Sequence, residues 1–323
     1  MDTTSPLRLL LIGCGQIARV HLGQLTQNPH WSLLAVVDPD PLRREELTGR
    51  LRHAPQGFDT VAHALAAVPV DAALICTPTH LHGDQLLQLW DAGIPVLCEK
   101  PLVDTRERLL DLLAQAPVRP PVMIAYQRRQ SAVFRQARDL LQSGALGRLM
   151  SLSLVNTEHW AQTIPGTWRN DPQQNPGGFL GDAGSHKLDM LFFLTGLRAR
   201  RVVSRCSQLD WNVPVNTQAI LELDDGVEAS LSFTGNAHQY FEEFRLHGTT
   251  ADLVIRPTEL LLARANQMET VAIPGHDSNP TEAFADFLRG NTPNPAPPQV
   301  ALAVRDLTDA ILTSALGRCA VDL

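Results

Sequence analysis

A chain of 323 residues exceeds what one hydrophobic core usually organises, so two domains, or one with a large appendage, are expected. Its 44% apolar content can fill such cores, and a formal net charge of −7 argues against nucleic acid, whose affinity draws on clustered Lys and Arg. The five cysteines, Cys14, Cys76, Cys98, Cys206 and Cys319, form an odd set without C-x-x-C spacing, which fits a reducing compartment and buried packing roles. Met1 to Pro6 carries no basic region ahead of a signal-length apolar stretch, and no segment has the apolar length of a membrane span. The cytoplasm is therefore the expected location, with no membrane partner.

From Leu7 to Met123 short apolar runs alternate with longer amphipathic ones, the pattern of parallel strands joined by crossover helices. Strands are expected at Leu9 to Ile12, Ser32 to Val37, Asp71 to Cys76 and Pro95 to Cys98, with a last one running to Ala125. Helices are expected at Gln16 to Gln27, Leu42 to Arg52, Leu81 to Ala92 and Thr105 to Gln115, the third ended by Gly93. Beyond Gln127 come a helix at Ala132 to Gln142 and then alternating runs such as Arg148 to Val155 and Ala219 to Leu223. Asp225-Gly226 between two such runs is a hairpin signal, because a type I′ turn needs residues that tolerate positive φ. A helix Ser185 to Thr195 ends at Gly196, and Val300 to Leu316 is the last helix. The pattern thus predicts a parallel α/β domain, residues 1–123, followed by an α+β domain, residues 124–323, with an antiparallel sheet open on one face.

Directly after the first strand stands Gly13-Cys14-Gly15-Gln16-Ile17-Ala18, a G-x-G-x-x-A turn opening a helix. Gly13 permits the tight turn, Gly15 lets the backbone N–H groups of the Gln16 and Ile17 turn approach a pyrophosphate, and Ala18 lets helix and strand pack closely. Asp38 closes the second strand twenty residues beyond Ala18, where a carboxylate accepts the adenosine ribose hydroxyls. It also repels a 2′-phosphate, which makes NAD the expected cofactor, with NADP as the alternative because Arg43 and Arg44 follow.

Four segments in this order resemble the Gfo/Idh/MocA family of glucose-fructose oxidoreductases and inositol dehydrogenases. They are Gly13 to Ala18 with His21, Cys76-Thr77-Pro78 through His82, Glu99-Lys100-Pro101, and Gly177 to Asp189 with its D-x-G-x-H-x-x-D ending. The resemblance implies an α/β Rossmann dinucleotide-binding domain and an α+β domain with a large, mostly antiparallel open sheet, with the active site in the cleft between them. It implies cofactor contacts from Thr77, Pro78, His82, Glu99 and Lys100, and a Lys100-Pro101 bond able to be cis. Lys100 would stand beside nicotinamide and substrate, His186 would act as acid and base, and Asp182 would be a substrate or histidine partner. Gln130 departs from the aromatic that relatives often place after the interdomain arginine. Family members commonly oligomerise through the open sheet face, so a homodimer or homotetramer is expected.

These residue types suit oxidation of an alcohol. Hydride loss must be matched by removal of the hydroxyl proton, and an imidazole titrating near neutrality can take and return it. An ammonium beside the oxygen steadies developing negative charge. If the helix starts early enough, Asp182 and His186 share a face, with Asp189 one turn on, and either carboxylate could orient the imidazole. Tyr126, Arg128, Trp168 and Arg169 are further substrate-binding candidates. Trp160 and Arg129 are pocket-lining ones: tryptophans suit a sugar ring and arginines an acidic or phosphorylated one, while buried core aromatics are the equal alternative. His80 and His82 with Cys98 or His159 show no familiar ligand spacing, so no metal is expected. The reading is an NAD(P)-dependent dehydrogenase or reductase acting on the CH–OH group of a sugar, cyclitol or related polyol. The rival is a non-catalytic dinucleotide-binding sensor on the same fold.

Overall fold

A computed structural model describes residues 5–49 and 51–323. The first unit alternates β1 (Leu7–Ile12), α1 (Gln16–Gln27), β2 (Trp31–Val37), α2 (Pro41–Thr48), β3 (Gln56–Phe58), α3 (Val61–Ala67), β4 (Ala72–Ile75), α4 (Thr79–Asp91), β5 (Val96–Cys98), α5 (Arg106–Gln115) and β6 (Val122–Ile124). Its six strands are all parallel in the order β3-β2-β1-β4-β5-β6, the doubly wound dinucleotide-binding arrangement. Helices cover both faces of such a sheet, so its central strands are apolar throughout: all four residues of β4 are buried, as are five of the six in β1.

The expected helix Leu42 to Arg52 is shorter than its sequence pattern. Pro41 and the Asp40 cap start it, and Gly49 ends it by donating its N–H to the Glu45 carbonyl; Arg50 lies outside the described residues. The strand β3 and helix α3 that follow were not expected, since three residues at a sheet edge and one short capped helix leave little periodicity.

In the second unit come α6 (Ala132–Gln142), β7 (Leu149–His159), α7 (Gly178–Gly181), α8 (Ser185–Thr195), β8 (Ala199–Ser207), β9 (Asn216–Leu223), β10 (Glu228–Thr234), β11 (Asn236–Gly248), β12 (Asp252–Arg256), β13 (Glu259–Arg264) and β14 (Gln267–Thr270). The next helix, α9 (Pro280–Leu288), returns to the first unit, and α10 (Val300–Gly317) with β15 (Val321–Asp322) completes the second. Nine strands run β14-β13-β12-β11-β7-β10-β9-β8-β15, antiparallel except for the parallel pair β7 and β10. The β9–β10 hairpin turns on Asp225 and Gly226 with φ of 59° and 71°, as its sequence requires. Helices α6, α8 and α10 lie along one face. The other face keeps residues such as Val203 and Ile220 exposed, alternating with buried Val202 and Leu221.

The boundaries differ from the two consecutive blocks read from sequence. One unit holds the residues up to Gln127 together with Ser278–Gln299, and the other holds Arg128–Asp277 and Val300–Leu323. The returning segment is held by the first unit's core: the indole of Trp31 donates to the Thr281 carbonyl at 2.8 Å and stacks on Phe284, and β6 takes the Ala296 carbonyl at its edge through Ile124. Among the described residues no helix is long and apolar enough to cross a membrane.

Candidate active site

The motifs of the first unit all sit where β1, β2, β4 and β5 end, the edge at which open parallel sheets take ligands. Gly13 has φ of +90°, and a Cβ there would lie 2.9 Å from the Cys76 backbone, so only glycine lets the turn pass that close to the end of β4. Gly15 faces open space and gives the start of α1 no side-chain cap, which leaves helix N–H groups for a phosphate. The Asp38 carboxylate accepts from the backbone N–H of Cys14 at 2.9 Å and of Asp40 at 3.0 Å, which fixes it beside the turn. Arg44 donates to the Asp38 carbonyl and Arg43 lies 3.6 Å from Asp40. Cys14, Cys76 and Cys98 are buried; burial, helped by the nearby Asp38 charge, pushes the Cys14 thiol up to about 12, so it serves packing rather than nucleophilic chemistry. An uncapped helix start, a close-packed glycine turn and a fixed carboxylate fit a dinucleotide.

The other first-unit candidates divide into exposed and interior groups. Thr77 and Pro78 are half-buried ahead of α4, and the Thr77 hydroxyl donates to Gln85 at 2.6 Å. His82 is 1% exposed: its Nδ1 lies 2.9 Å from the Pro101 carbonyl and its Nε2 lies 2.8 Å from the Thr77 carbonyl. It therefore ties together the loops after β4 and β5 from behind, and burial first of all holds its pKa down. A neutral imidazole donates to only one of those two carbonyls at a time. Glu99 is likewise interior. One of its oxygens takes His21 Nε2 at 2.8 Å and the other takes the Lys100 backbone N–H at 3.1 Å. Burial pushes this carboxyl up, but the His21 hydrogen bond and charge, with Lys100, outweigh it and hold it below its ordinary value. Lys100 is half-buried and its bond to Pro101 is cis.

In the second unit the Gly-rich segment does not form one helix. The chain breaks at Asp182, with φ −87° and ψ −91°, and α8 starts only at Ser185, so Asp182 and His186 do not share a helix face as the spacing suggested. The break follows from packing: a Cβ on Gly184 would meet the Leu180 carbonyl oxygen at 2.7 Å, backbone against backbone. Asp182 instead accepts from Arg169 Nε at 2.8 Å and from the Trp160 indole at 3.0 Å. Trp160 is buried against Phe179 and takes the core role, while half-buried Trp168 lies under the Arg169 guanidinium at 4.6 Å. Asp189 is fully buried and bridged by Arg129 at 2.7 and 2.8 Å, so its oxygens serve the arginine. His186 is half-buried in the first turn of α8, Tyr126 of the first unit is buried, and Gln130 is buried.

Sequence reasoning missed four polar residues of β7, α8 and β11. Lys187, buried, reaches Glu158 at 2.7 Å, and Glu242, with a fully buried side chain, holds Arg128 at 2.6 Å and the Tyr240 hydroxyl at 2.5 Å. Register puts Glu242 opposite Asn156, on the face of the sheet that carries Leu154 and Phe244 into the core. A charged residue at an inward strand position is the signal that would have found Glu242. Among the described residues no cluster of three or more His, Cys, Asp or Glu is placed to hold a metal.

Two family models match. One, described as the oxidoreductase family with an NAD-binding Rossmann fold, covers residues 7–125; the other, the GFO/IDH/MocA C-terminal domain, covers 134–254. An inositol 2-dehydrogenase of Rhizobium meliloti (strain 1021) is 26% identical over 296 residues, covering 87% of this chain and 86% of that protein. A D-glucoside 3-dehydrogenase of Escherichia coli K12 is 29% identical over 204 residues, covering 62% and 58%. The crystal structure of the WlbA dehydrogenase from Bordetella pertussis in complex with NADH and UDP-GlcNAcA is 21% identical, with a TM-score of 0.84 over 98% of this chain and 99% of that one, which shows the shared fold. Both halves of the chain thus match one family, and the protein belongs to the Gfo/Idh/MocA family of NAD-binding oxidoreductases.

Proposed function

We propose that the protein oxidises or reduces a CH–OH carbon of a sugar, cyclitol or related polyol, with Lys100 and His186 acting on that carbon's oxygen. The observation that carries this reading is the fixed arrangement at the ends of β1, β2 and β5, where phosphate turn, Asp38 and Lys100 occupy one edge of the parallel sheet. The relatives named for inositol and D-glucoside support the substrate class. The Gly13–Gly15 turn would hold the pyrophosphate of NAD and Asp38 its ribose, and the cofactor so held would supply or accept the hydride. Lys100, its backbone pinned by Glu99, places an ammonium against the substrate oxygen and steadies its developing negative charge. His186 takes the hydroxyl proton during oxidation and returns it during reduction. Asp182, held by Arg169 and Trp160, presents its carboxylate to the substrate, with Trp168 and Arg169 next to it. Thr77 and Pro78 line the cofactor side, with His82 bracing Thr77 and Glu99 bracing Lys100 from the interior.

A Lys100→Met, His186→Ala double variant should lose turnover by about a thousandfold or more while binding NADH as the parent does, measured by cofactor fluorescence and initial rates on a polyol panel. Retained turnover removes the catalytic assignment. Binding of NADH without turnover of any polyol or sugar by the parent supports the sensor instead. Assembly into a dimer or tetramer through the uncovered face of the nine-stranded sheet, and residence in the cytoplasm, belong to the same reading.

A further inference from the structure

Arginines suit an acidic or phosphorylated substrate, yet Arg128, Arg129 and Arg169 of the second unit are each matched by a carboxylate. Arg128 lies 2.6 Å from Glu242, Arg129 grips Asp189 with both arms, Arg169 reaches Asp182, and the neighbouring Lys187 reaches Glu158. Glu242 matters most, because its side chain is 0% exposed and its charge is answered by Arg128 rather than by water. An anionic ligand at Arg128 would bring a second negative charge to one guanidinium, next to a carboxylate with no solvent to screen it.

Hydrogen-bond direction around Tyr240 gives a second, independent constraint. Its hydroxyl donates to Glu242 Oε2 at 2.5 Å and accepts from Arg128 Nη2 at 2.6 Å. A phenol has one proton and two lone pairs, so one lone pair is left over. Tyr240 is 47% exposed, whereas the Glu242 side chain it binds is fully buried. Burial, reinforced by the Glu242 charge, pushes the phenol well up, which keeps the proton on it and directed at the carboxylate. Whatever approaches the remaining lone pair must donate. An alcohol O–H does so, whereas a carboxylate or phosphate oxygen at neutral pH has no proton to give.

We propose that Arg128, Tyr240 and Glu242 form a charge-balanced, hydroxyl-recognising wall that selects uncharged polyhydroxy substrates over sugar acids and sugar phosphates. This rests on the sugar or polyol reading above. Tyr240 and Arg128 touch the substrate, and Glu242 positions them and cancels the cation.

The test uses the full chain with NAD and initial rates on two neutral compounds, myo-inositol and methyl glucoside, and two anionic ones, glucuronate and glucose 6-phosphate. The parent should prefer the neutral pair in kcat/KM by about tenfold or more, since an unmatched buried charge or hydrogen bond costs that much. Glu242→Gln should narrow or invert the preference through a lower KM for the anions. Tyr240→Phe, a change at a half-exposed ring, should raise KM for the neutral pair with kcat less affected and NADH affinity retained. Parent turnover favouring the anions, or a Glu242→Gln variant with unchanged preference, overturns the wall while leaving the dehydrogenase reading standing. No turnover of any compound removes that reading instead. The wall is then judged by the melting temperature of NADH-saturated protein with methyl glucoside or glucuronate: stabilisation by the neutral compound alone upholds it, and any other pattern overturns it.

Discussion

Glu99 occupies an interior position where a carboxylate survives only because two donors meet it, His21 at 2.8 Å and the Lys100 N–H at 3.1 Å. Its pKa lies below the ordinary value of 4.5 in the folded protein, so it contributes stability that is fully present above that value and is lost as pH falls through the folded one. A Glu99→Gln variant should therefore be less stable than the parent at pH 7, with the gap closing as pH falls below 4.5 and through the still lower folded value. Urea midpoints from pH 7 to 3 check this, and a gap that stays constant with pH would show that the carboxylate's charge contributes nothing. The same residue shows where sequence reasoning reaches and stops. The places of Gly13, Gly15 and Asp38 just after strands were legible from spacing, and that of Lys100 from the tripeptide it shares with the family. The interior roles of Glu99 and His82 were not, since partners 78 and 19 positions away have no local signature.

At the scale of elements, α8 is tied to the turn at residues 127–130 by the fork of Arg129 on Asp189. Burial pushes Asp189 up while the arginine pulls it back, so the carboxylate depends on that single cation. Arg129→Met should destabilise the protein by about 3–5 kcal/mol by leaving a buried charge unanswered, whereas the double change with Asp189→Leu should recover most of it. Denaturant unfolding of the three variants measures the coupling, and additive losses would refute it. Helix existence was read well here: α1, α6 and α8 span the residues their periodicity dictates, α8 ending at Gly196 in the left-handed conformation. What failed was continuity across Asp182, because spacing alone does not say whether a segment with four glycines stays helical throughout. The helix α9 carried a readable signal, Asn279 three residues before Glu282 with Pro280 between, and the structure uses it as a cap.

Over the whole molecule, the second sheet leaves one broad face without helices. Val203 and Ile220 stand opposite each other across β8 and β9 at 51% and 66% exposure. Assembly through this face should be broken by Ile220→Asp, seen as a fall in mass by sedimentation with NADH binding kept. An unchanged mass would place the contact elsewhere. An antiparallel sheet with one open face followed from the alternation of Arg148 to Val155 and Ala219 to Leu223, but the strand order and the assignment of residues 278–299 did not, the latter because it depends on what Trp31 and β6 lack without them.

That returning segment gives the protein an unusual kind of modularity. The backbone passes from one unit to the other three times, at Gln127, Asp277 and Gln299, so the dinucleotide half is not a contiguous gene segment. Cutting after Gln127 would strip Trp31 of its carbonyl acceptor and its stacking ring, and would uncover the edge of β6. Any exchange of cofactor halves between relatives must therefore splice in two pieces of sequence, the second being the short stretch that contains α9.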